Sequence, residues 1–72
     1  PAPDGYLETI KNLGASPQTT VILEDSNIGI ESAKASGAFT IGFRQNLIKG
    51  QVLQNADGYA DDLEAVLALI KT

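Results

Sequence analysis

Seventy-two residues supply one small domain at most, and a chain of this size buries only about 60% of the surface its unfolded form exposes. With 43% hydrophobic and 19% charged residues it falls among globular rather than disordered sequences. Nine acids against five bases, a formal charge of −4, argue against a nucleic-acid surface, which needs clustered Lys and Arg. The sequence holds neither cysteine nor histidine, which removes disulfides, thiolate and imidazole metal sites and His-based triads. Carboxylates, hydroxyls and lysines are the chemical groups that remain. No apolar run approaches the roughly 18 residues of a membrane span and no charged-then-apolar leader is seen, so the expectation is a soluble, cytoplasmic protein. The chain begins at Pro1, contains no methionine and opens on Pro1-Ala2-Pro3, and is read as the interior of a longer polypeptide.

In chain order, Tyr6, Leu7, Ile10 and Leu13 recur at helical spacing after Pro3-Asp4, with Gly14 as a stop, which predicts a helix over about residues 4–13. Ser16-Pro17 begins a short turn. Residues 20–23 are β-branched and apolar, as in a strand buried on both faces. Ser26 or Asn27 can cap a second helix, with Ile30, Ala33 and Gly37 on one side, Glu31 and Lys34 toward water, and Gly37 at its end.

Residues 39–43 alternate with period two and predict the next strand, followed by a polar loop over 44–55. Gly58-Tyr59-Ala60 reads as a short edge strand. Asp61, with Glu64 three residues on, resembles a capping box ahead of Leu63, Val66, Leu67 and Ile70. Asp57, Asp61 and Asp62 could be taken for a second acid cluster, but Asp61 and Asp62 are better explained as helix-starting residues favoured by the dipole. The alternation of helix and strand predicts an α/β fold, a Rossmann-like parallel sheet flanked by helices and joined by right-handed crossovers.

The chemistry concentrates at Val21-Ile22-Leu23-Glu24-Asp25-Ser26-Asn27-Ile28-Gly29-Ile30, an apolar run that ends in two adjacent carboxylates and enters a helix. Ligands of open α/β sheets collect at such strand ends. Two neighbouring acids repel and lose hydration there, so a cation is their natural partner. Magnesium suits an oxygen-only site and often bridges carboxylates to a substrate phosphate, which suggests phosphoryl transfer. The competing structural reading is that Asp25 caps the helix and Glu24 is a solvated strand end. No spacing among Gly29, Gly37 and Gly42 makes a phosphate-cradling loop.

Pro1-Ala2-Pro3-Asp4, the Glu24-to-Ile30 stretch and Ala33-Lys34-Ala35-Ser36-Gly37-Ala38 together resemble the C-terminal part of haloacid dehalogenase-like hydrolases, in their phosphatase and β-phosphoglucomutase-like branch. The resemblance covers essentially the whole chain. It implies that residues 1–72 are the C-terminal portion of a Rossmann-like core domain whose cap domain and nucleophile strand lie elsewhere in the polypeptide. It also implies that Asp25 ligates Mg²⁺ directly and that Glu24 is a second ligand or orients metal-bound water. Ser26 and Asn27 would sit in the loop that shapes the cofactor site, and Gly29 would allow close approach of helix and sheet. The implied activity is a Mg²⁺-dependent phosphomonoester hydrolase working through an aspartyl-phosphate, with a β-phosphoglucomutase-type phosphomutase as the alternative. The substrate would be a small phosphorylated metabolite such as a sugar phosphate.

The family's nucleophilic Asp, its acid/base Asp, its phosphate-binding Ser or Thr and its Lys have no counterpart here, and Lys11, Lys34, Lys49 and Lys71 are not promoted to that role. The isolated chain is therefore expected to be inactive and poorly folded. A non-catalytic α/β signalling or interaction module is the alternative of another class, but no Asp ends the 39–43 strand as a phosphoacceptor would.

Overall fold

In a computed structural model of the chain, residues 2–71 are described. Pro1, the first residue of the Pro-Ala-Pro segment, lies outside them. The elements run α1 (Asp4–Asn12), a 3₁₀ turn (Pro17–Thr19), β1 (Val21–Glu24), α2 (Asn27–Ala35), β2 (Phe39–Phe43), β3 (Gly58–Ala60) and α3 (Leu63–Lys71). Each lies within a residue or two of its predicted place. None of the described helices is long and apolar enough to cross a membrane.

Helix α1 carries Asp4 in its first turn and Lys11 in its last, both favoured by the helix dipole. It stops where Gly14 turns to φ 72°, letting Gly14 donate to the Lys11 carbonyl and Ala15 to the Ile10 carbonyl, the paired bonds of a Schellman ending. Ser16 and Thr19 cap the 3₁₀ turn reciprocally.

The three strands form one parallel sheet in the order β1-β2-β3. Val21 pairs with Phe39, Glu24 with Gly42, and Phe43 with Ala60. Strand β2 is hydrogen-bonded on both sides, and Thr40, Ile41 and Gly42 are all buried. This corrects one expectation: the strand buried on both faces is β2 rather than β1. Strand β1 lies at one edge of the sheet, where Leu23 remains 39% exposed.

The core falls into two layers, one on each side of the sheet. Ile10, Ile22, Ala33 and Ala38, with Tyr6 against them, join α1 and α2 to one face. Ile41, Ala60 and Val66, flanked by Val21, Phe43, Ala65 and Leu69, join α3 to the other. Ile30, Ala33 and Ile41 are at most 1% exposed. Replacing either isoleucine by alanine is therefore worth about 2–5 kcal/mol.

The cap of α3 differs by one residue from the sequence expectation. Asp62 Oδ1 accepts from the Ala65 N–H at 2.8 Å, whereas Asp61 turns to Arg44 and receives its Nε at 2.9 Å. Either acid could start the helix; the guanidinium at the end of β2 takes one and leaves the other to cap.

Candidate functional site

Because the strands are parallel, their carboxyl ends share one edge of the sheet, and Glu24-Asp25, Arg44 and Asp61 all emerge there. Glu24 is the last residue of β1 and is half-buried; Asp25, the next residue, is exposed. Ser26 follows in extended conformation (φ −136°, ψ 153°) and caps α2, its Oγ accepting from the Gly29 N–H at 3.0 Å. The tight strand-to-helix passage thus comes from one capping hydroxyl, as the sequence suggests.

The Glu24 side chain folds back over the first turn of α2. A Cβ built on Gly29 would sit on the Glu24 carboxylate, so glycine at 29 is what lets the acid lie against the helix. Burial, and after it the repulsion of Asp25, push the Glu24 carboxyl above its ordinary value of 4.5, and a hydrogen bond from the Asp25 backbone N–H offsets part of that. A half-buried carboxylate beside an exposed one is a pair whose charge a cation would relieve. No hydrogen bond or ion pair among the described residues engages the Asp25 carboxylate.

Across the sheet from Glu24, the ring of Tyr59 lies over Gly42, which is the residue in register with both. The Tyr59 hydroxyl accepts from the Ala56 N–H at 3.2 Å, and the Arg44 guanidinium stacks 5.5 Å from the ring centroid. Arg44 is thereby held between an aromatic face and Asp61.

Ser26 and Asn27, both expected near the cofactor, have structural tasks. Ser26 caps. Asn27 does not cap; its Nδ2 donates to the Val52 carbonyl at 2.9 Å and its Oδ1 accepts from the Gln54 N–H at 2.8 Å. The second acid cluster does not assemble. Asp61 pairs with Arg44 and Asp62 caps α3, while Asp57 lies at the amino end of β2. There its Oδ2 accepts from the Thr40 N–H at 2.8 Å and its Oδ1 meets Lys34 Nζ at 3.2 Å. The Arg44-Tyr59-Asp61 cluster, the Asn27 contacts and the Lys34-Asp57 pair carry no local sequence signal, since each joins residues 15 or more positions apart.

An open groove of about 410 Å³ lies at this amino end, between Pro17, Lys34, Gly37, Phe39 and Asp57. It is remote from the acid pair, and the chemistry of Glu24 and Asp25 rather than groove size identifies the candidate site.

As a metal site the acid pair is partial. Among the described residues no three His, Cys, Asp or Glu side chains gather to hold an ion. The donors present are hard oxygens, which fits magnesium or calcium and not a soft metal, and two carboxylates fill a minority of a roughly six-coordinate shell. The residues fit such an ion as contributors to a site completed by other groups.

The chain is thus a parallel α/β sheet with an acid pair at the mouth of a strand, followed by a capped helix, at the edge where open α/β sheets collect their ligands. A family profile described as haloacid dehalogenase-like hydrolase matches residues 1–43, and the chain belongs to that family. It is 35% identical to Protein CbbY of Rhodobacter capsulatus over 65 residues, covering 90% of this chain and 29% of that protein. It is 36% identical to the fructose-1-phosphate phosphatase YqaB of Escherichia coli strain K12 over 44 residues, 61% of this chain and 23% of that protein. The chain thus spans less than a third of these relatives' length. No solved structure gives a significant match.

Proposed function

We propose that the chain is the metal-binding portion of the core domain of a Mg²⁺-dependent phosphomonoester hydrolase that works through an aspartyl-phosphate. The attacking aspartate, the family lysine and the cap domain would be supplied by the rest of the polypeptide. The observation that carries the reading is the acid pair itself: Asp25 exposed at the strand mouth, with Glu24 tucked against α2 in a setting that disfavours its charge. Bound there, magnesium would neutralise charge on the phosphoryl oxygens, the dominant need in phosphoryl transfer. Asp25 would hold the ion, and Glu24 would hold it or orient its water. Ser26 fixes the direction in which both emerge by ending the strand and starting the helix. The likeness to a fructose-1-phosphate phosphatase of Escherichia coli supports hydrolysis over mutase chemistry, and a small phosphorylated metabolite such as a sugar phosphate as substrate.

The test uses the full-length polypeptide that carries this chain, with p-nitrophenyl phosphate as substrate and Mg²⁺ titrated calorimetrically in parallel. Asp25→Ala is expected to abolish both Mg²⁺ binding and Mg²⁺-dependent turnover while the protein stays folded. Retained turnover in that variant refutes the reading.

A further inference from the structure

Residues 44–57 contain no helix or strand, yet the stretch at 52–54 is fixed to the start of α2. The two Asn27 hydrogen bonds, to the Val52 carbonyl and from the Gln54 N–H, straddle Leu53. Leu53 is 7% exposed, and its Cδ1 would lie 3.3 Å from a Cβ at Gly42. The Asn27 carboxamide therefore treats 52–54 as a neighbouring strand would, one donor and one acceptor meeting alternate backbone groups. Asn55 at φ 68° then turns the chain toward β3, a conformation asparagine tolerates better than most residues. Asn27 is the first residue of α2 and lies two positions after Asp25, so the segment is fastened to the turn that presents the acid pair. Val52 and Ile48 stay exposed on it, at 65% and 75%.

We propose that Asn27 is a positioning residue whose carboxamide fixes residues 52–54 as one wall of the acidic mouth, so that a phosphate monoester and its metal meet a preformed rather than a fluctuating site. The proposal rests on the hydrolase reading above and adds to it the element that shapes substrate entry. A wall ordered before binding spares the ligand the cost of ordering it. Its loss therefore acts on binding more than on the chemical step.

In the full-length polypeptide with Mg²⁺ and p-nitrophenyl phosphate, Asn27→Ala is expected to raise KM and the half-saturating Mg²⁺ concentration about threefold to tenfold, as the loss of one or two hydrogen bonds of ordinary net strength implies. That rise exceeds any fall in kcat. Hydrogen exchange at the Gln54 amide accelerates in the same variant. Asn27→Gln, with the same donors and acceptor on a stem one methylene longer, falls between wild type and alanine in both readouts, and decides the matter if Asn27→Ala does not fold. A folded variant with KM within about twofold of wild type overturns the proposal whatever its exchange rate, since such a difference is below the free energy of one bond. Absence of Mg²⁺-dependent turnover in the wild type refutes the hydrolase reading and this proposal together. The two failures are told apart by the wild-type control.

Discussion

Gly29 and Glu24 share one small volume, and this makes their substitutions non-additive in a predictable direction. Alanine in place of glycine ordinarily stabilises a helix interior by about 0.5–1 kcal/mol, with the lower figure apt for a first turn such as that of Gly29. Here the new methyl group meets the Glu24 carboxylate and approaches Ser26 Oγ, which would lie 3.0 Å away. The carboxylate is the far end of a flexible side chain, so it moves instead of breaking the helix, and it gives up its bond from the Asp25 N–H. The bond given up, of order 1 kcal/mol or less, and the departure of the side chain from its packed rotamer, set against the desolvation relieved, offset the gain in propensity. Gly29→Ala should therefore be close to neutral in the wild-type background and stabilising by about 0.5 kcal/mol in a Glu24→Ala background, where the space is vacant. Urea unfolding of the four proteins of this cycle, followed by circular dichroism on the full-length polypeptide, measures the coupling. Gly29→Ala should also weaken Mg²⁺ binding about as much as Glu24→Ala does, because both displace the same carboxylate. Equal effects of Gly29→Ala in the two backgrounds, within the roughly 0.3 kcal/mol expected of independent sites, would refute the shared-volume reasoning.

Two further outcomes follow from the same edge of the sheet. Gly42→Ala places a methyl group 2.9 Å from Tyr59 Cδ1 and 3.3 Å from Leu53 Cδ1 in the central strand, and overpacking of this kind costs about 1–3 kcal/mol; an unchanged urea midpoint would contradict the ring placement. Glu24 has a folded-state pKa raised above 4.5. The native state thus favours its protonated form, and the stability this contributes is full below that value and lost as pH rises through the folded one. Without metal, Glu24→Gln should be more stable than wild type near neutrality, with the advantage vanishing as pH falls below 4.5. An advantage that grows toward acid would show the sign to be wrong.

The parts of this fold that local chemistry specifies were legible in the sequence. The β2 segment combines aromatic and β-branched residues between Gly37 and Arg44, and its bounds emerge as expected. Ser26 is a strong cap just ahead of a helical pattern, and it caps. What sequence reasoning missed depends on partners distant in the chain. Asp61 and Asp62 are equivalent locally, and the choice between them is made by Arg44, 17 residues from Asp61. Asn27 looks like a cap because asparagine often is one, but a segment 25 residues away captures both ends of its amide. An apolar stretch such as 21–23 announces that it can be buried without saying how many neighbours it has, so it predicts a doubly covered strand where the structure has one at the edge of the sheet. The acid pair was legible as a candidate because two adjacent carboxylates follow an apolar run, and the structure places both at the carboxyl end of β1.

The contrast between the two ends of the sheet bears on how such a domain can change over time. At the amino end, one Asp57 carboxylate closes both the start of β2, through the Thr40 amide, and the flank of α2, through Lys34. Fastening of this sort ties strand to crossover helix without drawing on any residue of the opposite edge. Substitutions in the largely exposed 45–51 stretch can therefore explore new shapes for the loop while the scaffold beneath keeps its register. An aspartate at the opposite end of the sheet from the acid pair would, in this sense, be a source of tolerance for functional drift.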